Sequence, residues 1–435
     1  MSQNWLTRLL AFHDIDQQSA SEFVISSPYY KNGRWDLPVL DDTSSTLEEP
    51  LEEWDIVLGV DAQKPMNDRI QQRFMDILND VIHHFSLGNS YRALATDATD
   101  DEKDDISHEY GSADPPRPVQ VSTRPDLVLL GRDISPQPLD SYHGAMSVKE
   151  ERHRLYQGSV AVGKVGKVQR QLDSNDDELY DSNETFTKVA TCARYALAPF
   201  CMISTECTVR ECFRNQPGRH FVYAFYVSLN TFRLFGFDRY GAFRVKAFDI
   251  HENASLFVRI IQLISSPDIN SLGFDSEVQW EGASQRINVT EDGKTVEYEV
   301  ENAFVEHPAM YGTGATYWFA RESGTENRVL IKDKWCRRIY SSREVTEGDL
   351  IATVSDNDLP GVARLLSVDE RSRTIKSLRQ SIGISSHEFR SPVFTRVVLQ
   401  RHGRTIRHFE SGRQLLYAFR DAIHGVHHFY PLILL

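Results

Sequence analysis

Apolar residues recur at helical spacing in four stretches of the chain. Over 68–86 they are Ile70, Phe74, Ile77, Leu78, Val81 and Phe85, with Asp68 as a cap, and the spacing predicts a helix there. His83 and His84 fall at its exposed end. Residues 184–200 (ETFTKVATCARYALAPF) read as helical, and 253–264 as an amphipathic helix. The last helix is predicted over 411–429, with Leu415, Leu416, Phe419, Ile423 and Val426 on one face. Strand patterns occupy 119–131, 158–168, and the pair 220–229 and 232–237 around a turn at Asn230, with 241–250 as a third. Further on, 265–300 reads as a Ser-, Asp- and Gly-rich connection ending in the strand VEYEVENAFV. Two strands joined by a turn follow within 311–344, then strands at 361–368 and 392–399.

The order of elements predicts a mixed α+β and α/β chain. Residues 1–54 form a helical or irregular segment, 55–270 an α/β domain of three layers, and 271–435 an antiparallel sheet with helices. The stretches 97–118 and 173–183 are acidic and predict solvated insertions. With 435 residues, 40% apolar and 25% charged, the chain is long and apolar enough for two or three globular domains. The net charge of −14 argues against a nucleic-acid partner. No apolar run approaches a membrane span, and no signal peptide is present, so an intracellular protein of cytoplasm or nucleus is expected. Four of the five cysteines, Cys192, Cys201, Cys207 and Cys212, lie close together without zinc-ligand spacing; Cys336 stands apart.

Candidate chemistry centres on 311–344. Gly312 and Gly314 sit in a turn entering a strand, Lys332 follows the apolar run Val329, Leu330 and Ile331, and Glu344 follows the cap residues Ser341 and Ser342. A glycine turn admits phosphates to backbone N–H groups, a strand lysine neutralises them, and a helix carboxylate holds the lysine. Each part alone also suits a hairpin turn, an edge-strand lysine or a helix cap; the ordered set carries the reading. A second constellation is Asp126, heading one strand, with Lys164 on the next. It resembles the metal site of restriction-endonuclease-like folds, but Val162 stands where a second carboxylate would be needed. The pattern predicts a nuclease fold without nuclease activity, or an α/β domain in which Asp126 caps a turn.

Three blocks resemble the fungal-type protein kinase family: RPDLV at 124–128, GRHFVYAFYVSLNTFRLFGFDRYGAF at 218–243, and YGTG…VLIKDKW…RE with LLYAFRDAIHG at 415–425. The resemblance spans roughly 55–430 and implies a nuclease-like N-terminal region and a divergent kinase domain, with serine/threonine phosphotransfer from ATP as the family activity. It assigns Gly312 and Gly314 to the phosphate loop, Lys332 to ATP pairing, Glu344 (or Glu347, one turn on) to the helix glutamate, and Val398–His402 to the adenine hinge. No H-R-D or D-F-G occurs in the 435 residues, and Arg420 and Asp421 lie within the last helix. A first lobe and the start of a second are therefore expected. No catalytic residue and no metal ligand is assigned. ATP binding should be weak, with Mg²⁺ held only if a missing lobe supplies ligands. The alternatives are a non-catalytic regulatory module that binds a protein partner or self-associates and, disfavoured by Val162 and the net charge of −14, a divergent metal-dependent nuclease acting through Asp126.

Overall fold

The computed structural model describes residues 10, 15–37, 64–85, 87, 91–95, 103–105, 120–122, 127–131, 159–166, 208–281, 284–291, 294–305, 312–336, 363–369, 373–381, 391–401 and 409–434. The chain divides into two compact units, Met1–Asp275 with Ser381–Ser385, and Ser276–Gln380 with Ser386–Leu435. Helices combine with sheets that are antiparallel at all but one pairing of the described strands, an α+β architecture.

The first unit opens with α1 (Gln17–Ser26). Asp16 caps it, accepting from the N–H groups of Gln18 and Ser19 at 3.1 and 2.7 Å. A short ribbon follows, β1 (Tyr30–Lys31) against β2 (Arg34–Trp35). In α2 (Lys64–His84), Ile70, Phe74, Ile77, Leu78 and Val81 are buried as their spacing requires, and His83 and His84 are exposed. The main sheet contains β3 (Tyr91–Ala95), β6 (Leu127–Gly131), β7 (Ser159–Gly166), β8 (Phe221–Ser228), β9 (Thr231–Asp238) and β10 (Gly241–Arg244) in that order, with β11 (Phe248–Asp249) also on β9. Among the described strands only β7 and β8 run parallel.

Several expectations change here. The strand expected over 119–131 divides: β5 (Gln120–Ser122) pairs with β4 (Lys103–Asp105) in a separate ribbon. Pro125 lies between β5 and β6, and proline has no N–H to give a ladder. Lys103–Asp105 thus form a strand inside the stretch read as a solvated acidic insertion. The third strand expected over 241–250 is two short pieces, and residues 208–215 form a helix that the apolar pattern did not reveal. The helix expected over 184–200 and the insertion at 173–183 lie outside the described residues.

One face of β8, carrying Phe221, Tyr223, Phe225 and Val227, shares a core with α1, α2 and α3 (Ala254–Ile264). Val222 and Ala224 on the other face are buried too, so β8 is covered on both sides. Ser21 on α1 hydrogen-bonds Ser255 at the start of α3, and Arg259 donates to the carbonyl of Ile15. Trp35 meets Phe257 edge to face at 5.8 Å and donates its Nε1–H to the carbonyl of Ile250. Its backbone N–H donates to His251 Nδ1 at 3.0 Å, while His251 Nε2 lies 2.9 Å from the carbonyl of Leu229. That pair of contacts requires the neutral ring with its proton on Nε2. Burial, assisted by the charge of Arg34, holds His251 below the ordinary imidazole range. The N-terminal ribbon is thereby clasped to the β8–β9 turn.

The second unit is one seven-stranded sheet. It contains β12 (Val278–Glu281), β13 (Ser284–Glu291), β14 (Lys294–Val305), β15 (Thr316–Glu322), β16 (Arg328–Cys336), β17 (Leu365–Asp369) and β18 (Val393–Gln400), in the order β12-β13-β14-β15-β16-β18-β17, antiparallel throughout. β12 and β13 occupy the region read as a connection. The sheet curls until β13 touches β17, enclosing Ile287, Val289, Tyr298, Trp318, Ala320, Val329, Ile331 and Val398. Each large side chain sealed there contributes roughly 2–3 kcal/mol. α4 (Ile375–Ser381) precedes β18, and α5 (Gly412–Leu434) extends beyond its expected end at 429. No helix among the described residues is long and apolar enough to cross a membrane.

Candidate functional site

β16 alternates along its length. Val329, Ile331, Asp333 and Trp335 are buried, whereas Leu330, Lys332, Lys334 and Cys336 are only half-buried, on the opposite face. The strand thus carries two lysines on one side of the sheet and an aspartate between them on the other.

On the lysine side, Lys332 lies opposite Tyr317 of β15 and Val397 of β18. Its Nζ is 5.6 Å from the centre of the Tyr317 ring, within cation–π reach. Gly312 and Gly314, at φ +120° and +53°, lead into β15. A Cβ at Gly312 would meet nothing within 4 Å, so its backbone angle and not space calls for glycine. The N–H of Trp335 donates to the carbonyl of Thr313 at 2.7 Å, which ties the glycine turn to the far end of β16. Glycine turn and lysine strand, brought together in the sequence reading by order alone, are therefore joined by a hydrogen bond. Burial lowers the Lys334 ammonium below the ordinary lysine range; the neighbouring Cys336 acts against this, and Lys332 adds repulsion. Glu344 and Glu347 lie outside the described residues. So does the hinge beyond Arg401, whose guanidinium sits 4.8 Å over Phe319.

On the buried side, Asp333 accepts from Arg396 of β18 through both carboxylate oxygens, each at 2.7 Å, and from Trp318 Nε1 at 2.8 Å. Glu277 adds an ion pair to Arg396 at 3.3 Å. Asp333 is committed inside the sheet and cannot serve a metal on the lysine face. Among the described residues, no three His, Cys, Asp or Glu side chains gather as a metal would require. The lysine face thus carries two ammonium groups beside a glycine turn.

The sequence reading missed the buried arginine–aspartate pair. Its one sequence signal is Arg396 within the apolar run of VFTRVVLQ, a charge that demands a partner. Of the second constellation, Asp126 is outside the described residues and Lys164 sits on β7. Their neighbours pair directly, Leu127 with Gly163, and Val162 lies opposite Val128.

Searches of the curated proteins and of the solved structures give no match. A family model does match: that of the fungal protein kinases, over residues 181–432. The match takes in β8 to β10 of the first unit and all the described strands of the second, and leaves out the RPDLV block. Covering more than half of its length, the match makes this chain a member of the fungal protein kinase family.

Proposed function

We propose that the second unit is the nucleotide-gripping lobe of a protein kinase, related to serine/threonine phosphotransfer, and that these 435 residues bind ATP weakly without transferring its phosphate. The observation that carries the reading is the Trp335–Thr313 hydrogen bond, which fixes a glycine turn beside the strand of Lys332. The strand order β14-β15-β16-β18-β17 supports it, since the turn then lies between the first two strands and the lysine on the third. Lys332, with Gly312 and Gly314, would hold the phosphates, and Glu344 would orient the lysine. With neither H-R-D nor D-F-G in these residues, no base and no metal-binding carboxylate is assigned, so Mg²⁺ would need ligands from elsewhere. The first unit is read as a nuclease-like α/β domain without cleavage activity, on the backbone pairing beside Asp126 and Lys164. Calorimetric titration with ATP and radiolabelled-ATP incorporation, each run beside Lys332→Met, test the main reading. Weak binding lost in the variant, with no incorporation, is expected; incorporation abolished by the substitution would overturn it.

A second reading, a module acting by contact, is favoured by α5. Leu416, Phe419 and Ile423 are 68%, 50% and 68% exposed. Their 3–4 spacing continues in the sequence through Val426 and Tyr430, the seam that pairs a helix with a second copy of itself. Sedimentation should then show concentration-dependent dimers that Leu416→Asp abolishes.

A further inference from the structure

We propose that Lys334 is a second phosphate-binding lysine, and that Lys332 and Lys334 together let this sheet hold a nucleoside triphosphate without a divalent cation. The inference rests on the nucleotide-binding reading above and adds a residue and a metal independence to it. Strand alternation puts the two ammonium groups on one face, with their Cα atoms about 6.6 Å apart along the strand. Four-carbon stems allow both to reach one triphosphate chain. Register makes Lys334 the nearer of the two to the glycine turn. Thr316 is opposite Asp333, so the residues leading from Gly314 into β15 run alongside Lys334 and Trp335. The Trp335–Thr313 hydrogen bond keeps them there. On the other flank, Val397 and Thr395 of β18 lie opposite Lys332 and Lys334.

Two cations on one face would carry out part of what magnesium does for bound ATP, which is to neutralise phosphate oxygens. Both side chains are half-buried, which strengthens a charged contact relative to water. No bond is made or broken; the claim concerns binding alone.

The test is ATP titration by calorimetry with EDTA and with Mg²⁺, using the full chain as wild type, Lys332→Met, Lys334→Met and Lys334→Arg, with thermal melts to verify folding. Wild type should bind in EDTA within about threefold of its affinity in Mg²⁺. Loss of one charge-assisted contact should weaken binding in EDTA about tenfold in Lys334→Met, and Lys334→Arg should retain most of it. If Lys334→Met melts early, Lys334→Gln takes its place. Wild-type affinity in a folded Lys334 variant, with weakened binding in Lys332→Met, would remove Lys334 and leave the lobe reading standing. Binding that requires Mg²⁺ would overturn the metal independence. No binding by wild type under either condition would overturn both this inference and the reading beneath it.

Discussion

Arg396 and Asp333 face one another across neighbouring strands, joined by two hydrogen bonds of 2.7 Å, with Arg396 wholly buried. Such a fork-to-fork pair is strong as a contact and costly to desolvate, so its removal is felt mainly through the partner left behind. Asp333→Ala should destabilise the second unit by about 3–5 kcal/mol, read as a drop in the urea midpoint of its unfolding. Asp333→Leu combined with Arg396→Met should be less damaging than Asp333→Ala alone, although Trp318 loses the acceptor for its indole N–H, which costs roughly 1–3 kcal/mol. A double variant as unstable as the single would show that the pair itself, and not the stranded charge, provides the stability.

His251 gives the first unit a dependence on pH. Its folded value is lowered, by burial first and by Arg34 second, while Asp249 and the carbonyl of Leu229 pull the other way. A free histidine titrates near 6.5. The stabilisation is therefore complete above about pH 6.5 and is lost as pH falls through the lower folded value, because the unfolded chain takes up the proton first. Urea midpoints measured from pH 8 down to pH 5 should fall, and His251→Phe should reduce that slope. A variant with the full wild-type slope would assign the effect to other groups.

Gly236 on β9 is required by a neighbour. A Cβ there would lie 1.9 Å from the Phe243 ring of β10. Gly236→Ala should cost about 1–3 kcal/mol by overpacking. Adding Phe243→Leu should recover part of the loss, giving a non-zero coupling in a double-mutant cycle.

Exposure separates two apolar positions of the second unit. Leu416 is 68% exposed on α5, whereas Ile331 is fully buried on β16. Leu416→Ser should change monomer stability by no more than about 0.5 kcal/mol, and Ile331→Ala should cost about 2–5 kcal/mol. Thermal melts at low protein concentration distinguish them.

The long periodic elements were legible in the sequence. The spacing of Ile70, Phe74, Ile77 and Val81 marked α2, and the alternation around Asn230 marked β8 and β9, because one buried face imposes its period on the residues. β12 and β13 were hidden by their polar content, since Gln279, Arg286 and Asn288 on their outer side dilute the alternation of Val278, Trp280, Ile287 and Val289. A usable signal was present: Asp292-Gly293 lies between the paired residues Glu291 and Lys294, a dipeptide suited to joining two strands. At the candidate site, Lys332 and the glycine turn could be read because they are close in sequence and of distinctive type. Asp333 and Arg396 could not, because 63 residues separate them and only strand register makes them partners.

The clasp between Trp35 and His251 has a practical consequence for anyone cutting the gene. Boundaries drawn from family similarity would begin at 181 and discard α1, the Trp35 ribbon and α2. Phe257, Ile261 and Ile264, which share a core with Phe23, Val24 and Trp35, would then face water, together with one side of β8. Bacterial expression of 181–432 should yield inclusion bodies or a soluble aggregate, whereas the whole chain yields dispersed protein. The family's boundary, drawn on shared sequence, runs through the middle of a compact unit with one core.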